Sequence, residues 1–480
     1  MEVFLIRALQ LILCFSILIV LHEGGHFLAA RLFKIRVEKF CLFFDPWFSL
    51  LKWKPKKSDT QYTLGWLPLG GYVKIAGMID ESMDKKQLEQ PVQPWEFRAK
   101  PAWQRLIVML AGVFVNFILA LFIYAMVLFV WGDTYVPIDR MTEGLKYNER
   151  AQQLGFRDGD IPLRTERVAF TRFDDTQSIG DVYRAISEAR EVTVLRAGHE
   201  VKIPLPGELN MLEMMKEQPP FMLALAPSVV DSVMAGSPAD GLGIQAGDRI
   251  VGFNGKPIAT WNEFTDELAR IGDILAAKSV PEESSPALLG SCTSPRSHAT
   301  AADSLLLRQV TLAVCRTSGE VDTLRGTLDA DFRLGVMWNH PFTRYEKKTV
   351  RYGFFESFPA GISHGWKVLC GYVDDLKYLF TRDGAKSVGS FGAIGSLFPA
   401  TWQWDRFWEM TAFISLMLAF MNILPIPALD GGHAFFLLCE VILRRKPSDK
   451  FMERAEQVGM TLLILLMAYA IFNDFMRFVF

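Results

Sequence analysis

Leu11-Ile12-Leu13-Cys14-Phe15-Ser16-Ile17-Leu18-Ile19-Val20-Leu21-His22-Glu23-Gly24-Gly25-His26-Phe27-Leu28-Ala29-Ala30 decides how the rest of the chain is read. An uncharged run from Leu11 to Leu21 leads into His22-Glu23-Gly24-Gly25-His26, and the apolar character resumes at Phe27–Ala30. Histidines four apart on a helix lie about 40° apart around its axis, so both reach one ion. Glu23 projects from a neighbouring direction, placed to act on water beside the metal rather than on the metal. This is the His-Glu-x-x-His pattern of zinc hydrolases, with the glutamate as general base. Ionisable groups within an apolar span are costly and mark function, so the segment predicts zinc hydrolysis at membrane depth. Arg7 before an apolar run also suits a signal peptide, but no small-residue cleavage site follows it.

Working outward, the 480 residues are half hydrophobic, and the apolar ones are concentrated. Leu106–Trp131 is almost free of charge; Thr411–Leu424, extended upstream by Phe407 and Trp408, and Met460–Phe472, extended by Val458 and Gly459, complete a set of four expected crossings. Pro425 and Pro427 make the third the least regular. Basic residues crowd the loop after the first span (Arg31, Lys34, Arg36, Lys39, Lys52, Lys54, Lys56) and the loop before the last (Arg444, Arg445, Arg454). The positive-inside rule makes both loops cytoplasmic, with the termini and the long central region on the opposite side. A net charge of −2 offers no basis for nucleic-acid binding.

The central region repeats itself. Gly155-Phe156-Arg157-Asp158-Gly159-Asp160-Ile161 parallels Gly243-Ile244-Gln245-Ala246-Gly247-Asp248-Arg249-Ile250. Each is followed by strand-like residues, a helical stretch (179–189, 261–271) and another strand (192–195, 310–315). The pattern resembles two PDZ domains in tandem, the second clear and the first degenerate; such domains bind an extended peptide as an added strand. Residues 278–304, rich in Ser, Pro, Ala and Thr, read as a disordered insertion. Cys292 and Cys315 share the oxidising side and are the candidates for a disulfide. The expected organisation is an N-terminal membrane half (1–132), PDZ domain 1 (133–220), PDZ domain 2 (221–340), an amphipathic connecting segment (341–406) and a C-terminal membrane half (407–480). Within the connector, 361–380 reads as an interfacial amphipathic helix.

The third span ends in Asn422-Ile423-Leu424-Pro425-Ile426-Pro427-Ala428-Leu429-Asp430-Gly431-Gly432-His433. A hydrolytic zinc centre commonly takes three protein ligands and leaves one position open. The rarity of aspartate at membrane depth favours Asp430 as the third; helix capping is its ordinary alternative, and His433 is the competing ligand.

His-Glu-x-x-His in the first span together with Asn-x-x-Pro-x-x-x-x-Asp-Gly near the other end resembles the paired signature of the site-2 protease family of intramembrane zinc metalloproteases. The resemblance covers nearly the whole chain. It implies a polytopic α-helical membrane protein with a membrane-re-entrant β-loop and two extracytoplasmic PDZ domains, seated in a bacterial inner membrane. It further implies Zn²⁺ held by His22, His26 and Asp430, Glu23 as catalytic base, and substrate contacts at Gly70, Gly71, Tyr72, Val73, Asn116, Asn422, Pro425 and Pro427. Val113 replaces the proline of the family's Gly-Pro-x-x-Asn, and Phe44-Asp45-Pro46 stands where the family often has Phe-Gly-Pro. The substrates implied are single-pass membrane proteins trimmed on the outer side by an upstream site-1-type protease, such as anti-sigma factors, and remnant signal peptides. A zinc transporter would instead show repeated transmembrane halves, and a catalytically dead PDZ adaptor would have no use for Glu23.

Overall fold

The computed structural model describes residues 2–478 apart from 57, 69, 79–90, 174–176, 218, 280–307, 330–331, 339–344, 380, 382–383, 386–387 and 446–447. The insertion expected over 278–304 lies outside the described residues from 280 onward, as does Cys292 and with it the Cys292–Cys315 pairing. The chain forms two compact units, Met1–Asp133 with Val350–Phe480, and Thr134–Thr349.

The first unit contains α1 (Glu2–Leu32), strands β1 (Val37–Leu42), β2 (Leu51–Trp53), β3 (Gln61–Leu64) and β4 (Tyr72–Ile75), and α2 (Ala102–Val130). After the second unit it resumes with α3 (Phe354–Leu379), α4 (Phe391–Ser396), α5 (Trp404–Ile423), α6 (Asp430–Leu443) and α7 (Asp449–Phe478). Helix α2 is the hub, packing against α1, α3, α5 and α6. By length and composition, α1, α2 and the Phe451–Arg477 part of α7 are apolar enough to cross a bilayer. Helix α5 carries Asp405, Arg406 and Glu409 in its first turns, which shortens its uncharged stretch to 410–423. Their outward faces are apolar and bare: Phe4, Leu28, Phe114 and Leu465 are each at least 64% exposed, a surface suited to hydrocarbon rather than water. Inside, Ser415 Oγ donates to the Asn116 carbonyl at 2.8 Å, tying α5 to α2.

Helix α3 covers 361–379 of the segment read as an amphipathic helix and extends it upstream. It begins at Phe354, seven residues before 361, with Glu356 accepting from the Gly353 N–H at 2.9 Å. Its first half packs on α2, because the small residues Ser357, Gly361 and Gly365 form a buried stripe.

The β-sheet of this unit has the order β2-β3-β1-β4, with β1 parallel to β3 and antiparallel to β4. Among the described residues β4 pairs only with β1, so no strand covers its other edge. A Cβ on Gly71 would lie 2.6 Å from Ile19 Cγ2 of α1, so the approach to β4 rests directly on that helix, one turn from His22.

The second unit bears out the internal repeat in its polar skeleton. Asp160 is fully buried; it accepts from the Arg157 N–H at 2.9 Å and from Arg196, which also reaches the Gly155 carbonyl at 2.8 Å. Asp248 is nearly buried; it accepts from the Gln245 N–H at 2.9 Å and from Arg316, which reaches the Gly243 carbonyl at 2.8 Å. The preceding glycines share one turn, Gly159 at φ 90° and Gly247 at φ 92°, a left-handed conformation that disfavours a side chain. Each turn feeds a strand, Ile161–Thr165 or Arg249–Phe253, and each copy has its helix, Gln177–Ser187 or Trp261–Ser279. In the second copy Ile250, Phe253, Trp261, Phe264, Leu312 and Val314 form one core. The first copy draws a strand from beyond residue 220: Met222–Ala224 pairs with Leu145–Tyr147, and Tyr183 Oη brackets Met222, donating to its carbonyl at 2.7 Å.

Candidate metal centre

Helix α1 brings His22 and His26 to one face because they are a turn apart. Asp430 arrives from α6, whose first residue it is. Leu429, not Asp430, is the N-cap, and it makes no side-chain capping bond, so the aspartate side chain is free to turn toward the histidines. Asp430 Oδ2 lies 3.1 Å from His22 Nε2 and 3.3 Å from His26 Nε2, and the two Nε2 atoms are 3.3 Å apart. A tetrahedral zinc ion with bonds of about 2.0–2.1 Å separates its ligands by about 3.3 Å. The three atoms therefore stand at the corners of one face of such a tetrahedron. Asp430 Oδ2 is also buried and lacks a hydrogen-bond partner, as expected of an atom reserved for a cation. The residues fit zinc.

Each imidazole is oriented through its second nitrogen. His26 Nδ1 lies 2.8 Å from the Val108 carbonyl of α2, so Nδ1 carries the proton and Nε2 faces the centre. His22 Nδ1 lies 3.2 Å from the Asn116 amide. With His22 protonated at Nδ1, the Asn116 oxygen belongs on that contact, an assignment that also gives the otherwise unpartnered Oδ1 a donor. Close helix approach makes these bonds reachable. A Cβ on Gly25 would sit 2.6 Å from the Ala111 carbonyl oxygen, and one on Gly112 would run into both histidine rings. Both positions require glycine for space.

The centre opens into a cavity of about 890 Å³. Gly70, Gly71, Tyr72 and Val73 line it, as do Asn116 and Asn422, with Phe15, Leu18 and Ile19 on the α1 side. Glu23 faces the same space, beside the backbone of Val73. Pro425 and Pro427 are not in the lining; they turn the chain between α5 and α6, with Ala428 at φ 78°. His433 lines the cavity but pairs with Glu456 at 3.5 Å, and among the described residues the cluster able to hold a metal ion is His22, His26 and Asp430. Sequence reasoning missed the Val108 carbonyl, a backbone group without a residue signature, and the contribution of Glu456. Asn116, read from sequence as a substrate contact, lines the cavity and also lies against His22.

Two histidines and a carboxylate converging among bilayer-length helices, with a glutamate beside them, define a membrane zinc metalloprotease. The chain belongs to Peptidase family M50, the family of the site-2 proteases, whose model matches residues 10–466. It is similar to the regulator of sigma-E protease RseP of Escherichia coli (28% identical, covering 97% of each chain) and to protease RseP of Yersinia pestis (29%, again 97% of each). The regulator of sigma E protease of Salmonella typhi is 28% identical over the same share of both chains.

Proposed function

We propose that this protein cuts single-pass membrane proteins within or beside their membrane segment, after an upstream site-1-type protease has trimmed them on the outer side. Truncated anti-sigma factors are the substrate class we favour, a reading supported by relatives named regulator of sigma-E protease, with remnant signal peptides as a second class. The observation that carries the reading is the 3.1–3.3 Å convergence of His22, His26 and Asp430, groups about 400 residues apart in sequence, beside a strand edge that, among the described residues, no other strand covers.

His22, His26 and Asp430 would hold zinc, which when bound supplies Lewis acidity to the scissile carbonyl and to water. Glu23 takes the proton from the attacking water at its carboxylate and delivers it to the leaving amine. Asn116 and the Val108 carbonyl keep the histidines in the ligating tautomer. A substrate helix hides its amides in its own hydrogen bonds, and unwound backbone in lipid needs new partners at once. The free edge of β4, at Tyr72–Ile75, offers them by strand addition, with Gly70 and Gly71 allowing close approach and Asn422 supplying an amide beside the cavity.

Counting α5 as a third crossing makes four, and with the positive-inside rule this reading has the central region and both termini outside a bacterial inner membrane and the basic loops inside. On this reading the two copies of the repeat, the first extended past 220 to include Met222–Ala224, are PDZ domains that filter substrates by size or read the newly made carboxyl end. Deleting 140–335 is then expected to permit cleavage of untrimmed substrates; continued rejection would place the filter elsewhere. The direct test of the chemistry is cleavage of a membrane-anchored, outer-truncated substrate by wild type and by Glu23→Gln. Loss of cutting with zinc retained supports the base role, and equal cutting by both removes it.

A further inference from the structure

The structure gives the Asp45 carboxylate three donors. It accepts from Lys39 Nζ at 2.7 Å, from Ser49 Oγ at 2.6 Å and from Tyr72 Oη at 3.0 Å. Lys39 Nζ also donates to Tyr72 Oη and sits 4.9 Å from the centre of the Tyr72 ring, while Phe44 stacks on that ring at 6.3 Å. The loop around Asp45 is itself pinned. Phe44 and Leu67 exchange backbone hydrogen bonds at 3.1 and 3.2 Å, and Trp66 Nε1 donates to the Pro46 carbonyl at 3.0 Å. Phe43 (φ 64°) and Trp47 (φ 69°) are held in left-handed backbone on either side, a strained arrangement that persists only where its surroundings over-determine it.

These contacts end on the strand that matters. Tyr72 is the first residue of β4, and Val73, the next, lies beside Glu23. Phe44, Asp45 and Pro46 line the same cavity as Gly70 to Val73. A glycine at 45 would leave Lys39 and Tyr72 without their acceptor.

We propose that Asp45 is a positioning residue, which through Lys39 and Tyr72 locks the free edge of β4 in one register against α1 and so sets where an added substrate strand pairs. The inference rests on the reading of β4 as the docking edge. It concerns binding and register, not the proton transfers at Glu23. Burial pushes the Asp45 carboxyl up, but the hydrogen bonds from Lys39, Ser49 and Tyr72 outweigh it and hold the group at about 2, so the lock stays charged throughout the physiological range.

The test combines kinetics with disulfide trapping. In the full-length protein, Asp45→Asn and Lys39→Met are each expected to raise KM for the outer-truncated substrate about five- to tenfold, as loss of a charge-assisted bond implies. kcat is expected to stay within twofold and zinc content to stay unchanged. The double variant should raise KM no further than either single one, because both remove the same lock, and Lys39→Arg should stay within twofold of wild type. A cysteine at Lys74→Cys, in a Glu23→Gln background, is scanned against single cysteines along the substrate segment. Trapping should concentrate at one register and spread over neighbouring positions once Asp45→Asn is added. Unchanged KM and trapping in Asp45→Asn overturns the inference while leaving strand docking intact. Loss of zinc and kcat with KM unchanged also overturns it, making Asp45 a structural prop. No trapping from Lys74→Cys at any substrate position overturns the docking reading itself.

Discussion

Gly112→Ala places one methyl group where the structure leaves no room for it. The new Cβ would lie 2.8 Å from His22 Cε1 and 2.8 Å from His26 Cδ2, and closer still to His26 Nε2. Ordinary contact begins at 3.4 Å, so the His22 ring must retreat by roughly 0.6 Å and the His26 ring by more, or α2 must move away from α1. Zinc sites tolerate errors of about 0.2 Å in ligand position. The expected result is a 10- to 100-fold loss of zinc affinity, the scale seen when ligand orientation is disturbed, and about 100-fold lower turnover. The sign separates this from a generic defect, because alanine in an open helix interior is about 1 kcal/mol more favourable than glycine. Gly24→Ala is the internal control: nothing lies within 4 Å of its Cβ, so activity should stay within twofold and stability should hold or rise. The assay is chelator competition for zinc alongside cleavage of the truncated substrate. Gly112→Ala retaining zinc affinity and turnover within threefold of wild type would refute the packing argument.

Three further outcomes are expected. Arg105, 10% exposed, pairs with Glu440 of α6; Arg105→Met should cost about 3 kcal/mol by stranding that carboxylate, and adding Glu440→Leu should recover most of the loss in the denaturation midpoint. Asp160→Asn and Asp248→Asn should destabilise their own copies of the repeat by similar amounts, about 1.5–3 kcal/mol for a bond to a charged group, read by amide exchange; an effect confined to one copy would break the equivalence. For Asp45, a folded-state pKa of about 2 against the ordinary 3.8 means its stabilisation is complete above about 3.8 and disappears as pH falls through 2. The stability gap between wild type and Asp45→Asn should therefore be flat from pH 7 to about 4 and close below that; a gap already closing near pH 6 would contradict the assignment.

Much was legible from residues alone, for identifiable physical reasons. His22 and His26 belong together because a helix has 3.6 residues per turn, and an uncharged run flanking them allows little but a membrane-embedded helix. The family of the chain followed from pairing that motif with Asn422–Asp430, and the repeat from two Gly-Asp turns whose aspartates proved to be buried with matching arginines. These are local patterns, fixed by periodicity, by charge in an apolar setting and by backbone that only glycine adopts readily.

The rest depended on packing between segments distant in sequence, which no local pattern encodes. Whether Asp430 or His433 faces the histidines is set by how α6 leaves the Pro425–Leu429 turn, and the structure turns His433 to Glu456. Asn116 was recognisable as polar and out of place in a span, but its partner, His22, is 94 residues away. The same holds for Val108, a backbone carbonyl invisible as a residue type, and for Asp45, whose three donors come from β1, β4 and its own loop. Sequence determined which chemistry the chain carries and on which helix. Tertiary structure decided what orients it, because side-chain orientation is a property of the contacts between elements and not of the elements themselves.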